Sequence, residues 1–401
     1  MTQLPALPMT KRDLLSMIGK SAGATAMYMA MSSFGQAQAS TFKGPIKLEG
    51  DPKGASVLIL GAGVAGMTAA YELDKAGYRV QLLEYNDRVG GRSWTLRGGD
   101  TYTELGGATQ HCEFSPGNYI NPGPWRIPTE HGGLVHYCKQ FGVGLEPFQQ
   151  NNYNAYLHST KAFGGVPQRY KTIQADYYGH VSELLAKAVK KSALDDAVTA
   201  EDQAILLESL RSWGALDKDF KYVKGSASAG RRGWDKGPGG GLTAVPVPSE
   251  PMDMHTVLNS GLWRAIGGNL SVEHQYAIFQ PAGGMDQVAK GFGKAVEHMV
   301  RLNSKVTAIR QDAKGVTVEY LDTKSGARLT ATAYCLCCIP LSILSQIEVQ
   351  VGESLGAAIT SIPYLPGLKV GLEFKRRFWE QDEQIYGGIT STDLPIGQIS
   401  Y

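Results

Sequence analysis

Ser56-Val57-Leu58-Ile59-Leu60-Gly61-Ala62-Gly63-Val64-Ala65-Gly66 is the stretch whose reading decides the fold. The apolar run Val57 to Leu60 reads as a strand. It enters a G-x-G-x-x-G turn, a helical stretch from Met67 to Ala76 follows, and a second strand, Arg79 to Leu83, ends at Glu84. The three glycines do different things. Gly61 permits the tight turn, Gly63 lets backbone approach a pyrophosphate, and Gly66 allows close packing of helix on strand. The helix N-terminus then faces the phosphate charge. Glu84 stands about 20 positions on, where an acid takes up the ribose hydroxyls of a dinucleotide. The pattern predicts an α/β dinucleotide-binding unit without choosing FAD over NAD.

The choice comes from Asn86-Asp87-Arg88-Val89-Gly90-Gly91-Arg92-Ser93 and, further on, Glu104-Leu105-Gly106-Gly107. These segments resemble those of the flavin amine oxidases. The resemblance implies FAD, with Arg88, Gly91 and Arg92 along the pyrophosphate and flavin and with Gly106 and Gly107 leaving room for the ring. Gln280-Pro281-Ala282-Gly283-Gly284-Met285, ahead of a helix, is similar to that family's segment between its substrate and FAD lobes. In the strand Leu302 to Ile309 the family uses backbone to hold adenine, which points to Val306, although a core strand valine would look the same. The implied architecture is a Rossmann-like FAD-binding domain (50–111 and 275–345), an α+β substrate domain and a helical cap. Residues 112–274 would form the substrate and cap region, and 346–401 further substrate-domain strands.

Gly123-Pro124-Trp125-Arg126-Ile127-Pro128 looks like the segment with which L-amino acid oxidases clamp the substrate carboxylate. Arg126 is the candidate, because a planar guanidinium binds a carboxylate through two parallel hydrogen bonds. This chain departs from the family by an extra stretch, Thr109 to Pro122, that puts the reach of Arg126 in question. Lys369, in Leu368-Lys369-Val370-Gly371-Leu372-Glu373-Phe374, matches the lysine that amine oxidases hold near flavin N5 through a water. The alternation there predicts a strand with Val370, Leu372 and Phe374 on one face and Lys369 on the other. The resemblance implies oxidative deamination of an L-amino acid with oxygen as acceptor, and a homodimer. An amine or polyamine oxidase indifferent to the carboxylate, and an inactive FAD-binding remnant, are the alternatives.

A chain of 401 residues with ordinary apolar content suits two lobes. Residues 1–39 carry Lys11, Arg12 and Lys20 against Asp13 alone, so the remainder is electrically neutral, which argues against a nucleic-acid partner. That segment joins a basic start to a stretch rich in Ala, Met and Gly and to Ala37-Gln38-Ala39, an A-x-A cleavage pattern. Thr10-Lys11-Arg12-Asp13-Leu14-Leu15 resembles a twin-arginine signal with lysine in the first place. An ordinary secretory signal is the other reading. Either predicts a periplasmic or secreted protein cut near Ala39, without a membrane anchor. Five cysteines make an odd set, three of them in the run Ala333 to Pro340 that reads as a buried strand, and no metal site is expected. A helical, charged stretch from Ala175 to Leu216 and a Gly- and Pro-rich loop from Gly225 to Pro251 suit the cap. The family pattern is still in progress at Tyr401, which reads as a truncated product or fragment.

Overall fold

A computed structural model describes residues 42–104, 107–194, 198–241, 243–268, 274, 277–313, 315–364 and 367–401. The expected export segment and Gly106 lie outside the described residues. Two compact units emerge: one runs up to Pro147 and resumes over Phe279–Glu373, and the other joins Phe148–Ile278 to Phe374–Tyr401.

The first unit is built on a seven-stranded sheet. Its parallel half contains β1 (Ser56–Leu60), β2 (Arg79–Leu83), β14 (Val300–Arg301) and the end of β17 (Arg328–Cys337). The other half is a meander: β15 (Ser304–Asp312) and β16 (Gly315–Asp322) pair antiparallel, as do β16 and β17, and β18 (Glu348–Val349) adds parallel to β15. The order across the sheet is β14-β2-β1-β17-β16-β15-β18. Strand β17 joins the halves, since Leu329 to Ala333 face β16 whereas Tyr334 to Cys337 pair with Val57 to Leu60.

Period-two alternation sends Val57 and Ile59 to one side of β1 and Leu58 and Leu60 to the other. Helix α1 (Val64–Lys75) covers the first side through Met67 and Ala70, and α8 (Asp286–Val296) through Val288, Phe292 and Val296, all nearly or fully buried. Burying such side chains stabilises the unit by roughly 1.5–3 kcal/mol for each large one. The chain leaves α1 at Gly77, whose φ of +90° closes the last turn as the Gly77 amide donates to the Asp74 carbonyl. Helix α2 (Gly132–Gln140) adds Tyr137 and Cys138 to the same core, while Leu58, Leu60 and Leu83 join Val306, Val318 and Tyr320 in a second cluster. Two short helices, α9 (Leu341–Leu344) and α10 (Glu353–Ser361), complete the unit.

Small pairings carry the loops above the sheet. Strand β3 (Leu96–Arg97) pairs with β6 (Tyr119–Ile120), β4 (Thr101–Thr103) with β5 (Thr109–His111), and β13 (Ile278–Pro281) lies between β7 (Ile127–Pro128) and β8 (Leu145–Pro147). Because β7 and β8 join β13, residues 112–147 belong to the first unit, and the division falls at Pro147 rather than before residue 112 as the sequence suggested. The second unit resumes at Phe374 rather than at 346.

Two other expectations are corrected. Residues 367–374 form no strand, and Leu368, Val370 and Leu372 are 83%, 70% and 72% exposed. Alternation shows what a segment can do beside a partner, and no described strand reaches this one. The cysteine run is less buried than expected: Cys337 is exposed and Cys335 and Cys338 half-buried, and on the opposite face of β17 Tyr334 and Leu336 are open. All five cysteines are free.

The second unit combines α3 (Tyr170–Lys190), α4 (Ala200–Gly214), α5 (Ser226–Arg232), α6 (Met254–Ser260), α7 (Trp263–Gly268) and α11 (Phe378–Gln381) with a four-stranded sheet. Those strands are β9 (Tyr156–His158), β10 (Gln168–Arg169), β19 (Ile389–Thr392) and β20 (Gln398–Ser400), in the order β10-β9-β19-β20. A further pair, β11 (Trp234–Lys236) and β12 (Val247–Pro248), occupies the expected loop. Thr199 and Asp202 form a reciprocal capping box that starts α4. Trp263 stacks on Tyr177 and Trp213 on Tyr178, so these tryptophans serve packing. No helix among the described residues is long and apolar enough to cross a membrane.

Candidate nucleotide and substrate site

The glycine turn has the shape its sequence implies. Gly61 sits at φ +101°, and a Cβ on Gly66 would stand 2.0 Å from the Gly61 carbonyl oxygen, so helix and strand meet at a distance only glycine permits. A Cβ on Gly63 would meet nothing within 4 Å, and α1 begins there without a side-chain cap or an acid in its first turn. Its leading N–H groups therefore face an open cradle suited to an anion.

Glu84, 5% exposed, closes the turn from behind: its Oε2 accepts from the Ala62 amide at 2.7 Å, and its Oε1 from the Asn86 amide and Nδ2 at 2.9 and 2.7 Å. A carboxylate offers more acceptor positions than these bonds use, which leaves capacity for a ribose hydroxyl. The Glu84 carbonyl accepts from the Ser304 amide at the start of β15, and Val306 follows two residues on with its side chain in the core. Among the described residues β18 pairs only with Ala308 and Ile309, so the Val306 edge on that side has no ladder partner.

The arginine and glycine segment lies against this turn. Gly90 donates to the Ala62 carbonyl at 2.7 Å and bridges Gly63, and a Cβ on Gly91 would stand 3.3 Å from the Gly63 Cα. Arg88 holds the segment rather than reaching outward: it donates to the Gly91 carbonyl at 3.0 Å and stacks on Trp94 with its Cζ 4.2 Å from the ring centroid. Burial, opposed by Glu84 and Asp87, lowers its pKa from the usual guanidinium value. Arg92 is exposed. Gly107 occupies the exposed tip of the β4–β5 hairpin, with no hydrogen bond to the glycine turn among the described residues. The cradle, the buried acid and the crossing segment fit a dinucleotide.

Arg126 is half-buried, directly before the fully buried Ile127 of β7. Strands β4 and β5 form a side hairpin, and the chain then returns to pair Tyr119 and Ile120 with Arg97 and Leu96, so the clamp segment resumes beside β3. At Gly123 it rests on the backbone of the arginine-bearing segment, since a Cβ there would stand 2.1 Å from the Arg92 carbonyl oxygen. Lys369 reaches the same place: its Nζ donates to the Asn121 carbonyl at 3.2 Å and to the Gly123 carbonyl, and lies 4.4 Å from the Trp125 ring centroid. Burial, and then the neighbouring Arg126 charge, hold its ammonium below the ordinary lysine value.

Sequence reasoning missed the residues that join these parts. Asn121 Oδ1 accepts from Thr95 Oγ1 at 2.7 Å and from the Met285 amide at 2.9 Å, while Thr95 Oγ1 accepts from the Asp286 amide at 3.0 Å. Arg97 pairs with both Asp286 oxygens at 2.9 Å. The only signal in the sequence was Gly284, whose φ of +111° and contact with Thr95 leave no room for a side chain.

Fold and site define a dinucleotide-binding protein whose cradle is crossed by an arginine-bearing, glycine-rich segment. The match to the flavin containing amine oxidoreductases covers residues 64–401, and the chain belongs to that family. Its relatives include L-amino-acid oxidases of Protobothrops flavoviridis, 26% identical over 366 residues, and of Bungarus fasciatus, 27% identical over 367 residues. Each alignment covers 89% of this chain, and respectively 66% and 64% of the relative, so the chain spans just under two thirds of their length. A putrescine oxidase redesigned in its cofactor binding is 18% identical with a TM-score of 0.46, covering 86% of this chain and 71% of that one.

Proposed function

We propose that the protein carries out FAD-dependent oxidative deamination of L-amino acids to 2-oxo acids, ammonia and hydrogen peroxide, with oxygen as electron acceptor. The observation that carries this reading is the seat of the Arg126 segment: Gly123 lies directly on the Arg92 backbone, beside the glycine turn, and Lys369 stands next to it. Gly63, Glu84 and the α1 N-terminus would hold the dinucleotide, with Gly91 against them, and Val306 would offer backbone to the adenine. When bound, FAD supplies the two-electron acceptor for the substrate Cα–H bond.

The remaining work falls to the chain. Arg126 takes the carboxylate bidentately, which orients the Cα, and the partly desolvated Lys369 ammonium adds positive charge on the same side. Carbonyls of Asn121 and Gly123 occupy part of the Lys369 donor set, leaving a further N–H to hold a solvent molecule.

Replacing Arg126 by alanine tests the reading. We expect kcat/KM for L-amino acids to fall by at least about a hundredfold, the loss of a charge-assisted bidentate contact, with simple amines little affected. Equal loss on both would favour an amine oxidase indifferent to the carboxylate. We also propose export with cleavage after Ala39, supported by Lys11-Arg12 and Ala37-Gln38-Ala39. Cell fractionation and N-terminal sequencing test it, and an uncut cytoplasmic protein would overturn it.

A further inference from the structure

Between Ile120 at the end of β6 and Arg126 before β7 lie only Asn121, Pro122, Gly123, Pro124 and Trp125. Pro122 and Pro124 have fixed φ, and Gly123 between them is held against the Arg92 backbone, so this is a stiff lever in which the position of the first residue is transmitted to the last. The far end is pinned by Ile127, which is fully buried.

The near end is fixed by Asn121 through three bonds of different origin. Its Oδ1 takes the Met285 amide, one of the N–H groups at the start of α8 that no carbonyl within the helix can satisfy. The same oxygen takes the hydroxyl of Thr95, 2% exposed, which in turn accepts from the Asp286 amide. The Asn121 carbonyl takes the Lys369 ammonium. One residue thus ties the lever to a helix of the nucleotide-binding unit and to the lysine beside the clamp.

We propose that Asn121 is a positioning residue for substrate carboxylate recognition, which sets where the Arg126 guanidinium stands; the proposal rests on the L-amino acid reading above. It acts through acceptance alone, so an aspartate at this position keeps both Oδ1 contacts and adds a charge favourable to the α8 N-terminus. A leucine keeps the bulk and removes the acceptor, leaving the Met285 amide and the Thr95 hydroxyl without it.

The test uses the flavin-loaded protein, titrated with benzoate as a simple carboxylate probe and followed in the flavin absorbance, together with steady-state kinetics on L-amino acids. Asn121→Leu should weaken benzoate binding and raise KM about tenfold, with flavin content retained and kcat changed by less than about twofold. Asn121→Asp should restore both. Thr95→Val, which removes only the hydroxyl, should act in the same direction, and keeps the proposal falsifiable if Asn121→Leu does not fold. Unchanged benzoate affinity in both variants, loss of flavin in both, or an aspartate variant as impaired as the leucine would overturn the proposal. Arg126→Ala, measured in parallel, separates the two claims: if it too leaves benzoate affinity unchanged, the carboxylate reading fails. If it weakens benzoate while Asn121→Leu and Thr95→Val do not, only the role of Asn121 fails.

Discussion

Gly123 rests on Arg92 so closely that a methyl group at Gly123 would stand 2.1 Å from the Arg92 carbonyl oxygen. The obstacle is backbone, which cannot swing aside as a side chain can. Gly123→Ala should therefore displace the lever bearing Arg126, raising KM for L-amino acids at least about tenfold while flavin content stays near that of the parent. Unaltered KM in steady-state assays would show that this contact does not place the clamp.

Two glycines of the nucleotide turn should respond differently. A Cβ on Gly66 collides with the Gly61 carbonyl at 2.0 Å, whereas one on Gly63 meets nothing within 4 Å. Gly66→Ala should lower the stability of the flavin-free protein by more than about 2 kcal/mol in urea unfolding. Gly63→Ala should unfold like the parent without flavin, yet bind FAD at least about tenfold more weakly, because its methyl enters the cradle. Equal FAD affinity in Gly63→Ala and parent would remove the pyrophosphate from that cradle.

Asp286 gives the α8 junction a definite pH response. Burial pushes its carboxyl pKa up, but hydrogen bonds and charge from Arg97 and Lys290 outweigh this and hold it below the usual value. A folded-state pKa depressed in this way contributes stability that is complete above the unfolded value near about 3.9 and is lost as pH falls through the lower folded value. Asp286→Asn should cost about 1–2 kcal/mol at neutral pH, discounted because Arg97 is partly open to solvent, and the gap to the parent should narrow below about pH 4. Urea unfolding across that range measures it; a gap that widens on acidification would contradict the sign.

In the second unit Asp176 is fully buried and accepts from Tyr222 Oη at 2.7 Å, Arg232 Nε at 2.8 Å, Arg232 Nη2 at 3.1 Å and the Met252 amide at 3.0 Å. Removing its charge leaves the Arg232 guanidinium, itself 7% exposed, without its hydrogen-bonded carboxylate. Asp176→Ala should destabilise this unit by about 3–5 kcal/mol, read as an early unfolding transition. A loss below about 1 kcal/mol would show that the ion pair is dispensable.

What was legible in the sequence was local. The first strand, the glycine turn, α1 and Glu84 follow one another within about thirty residues, and each needs only its own pattern and near neighbours. The start of β15 was legible for the same reason, as the strand read from Leu302 to Ile309. Asn121 was not, because its role depends on Thr95 and Met285, which lie 26 and 164 positions away. Lys369 was read by alternation as a strand residue, yet it stands on an unpaired segment held to the lever by carbonyls. The unit boundary was misplaced because β7 and β8 are too short to signal that they pair with β13. The extra stretch put the reach of Arg126 in question, and only the pairing of β3 with β6 shows where the chain resumes, beside Leu96 and Arg97.

Flavin chemistry and carboxylate recognition meet in the visible spectrum of the purified protein, recorded before and after anaerobic addition of mixed L-amino acids. Bound flavin that bleaches with L-amino acids, and responds little to the corresponding amines lacking a carboxylate, is the predicted result. A flavin spectrum that amines bleach as readily as L-amino acids, or that neither changes, would contradict it.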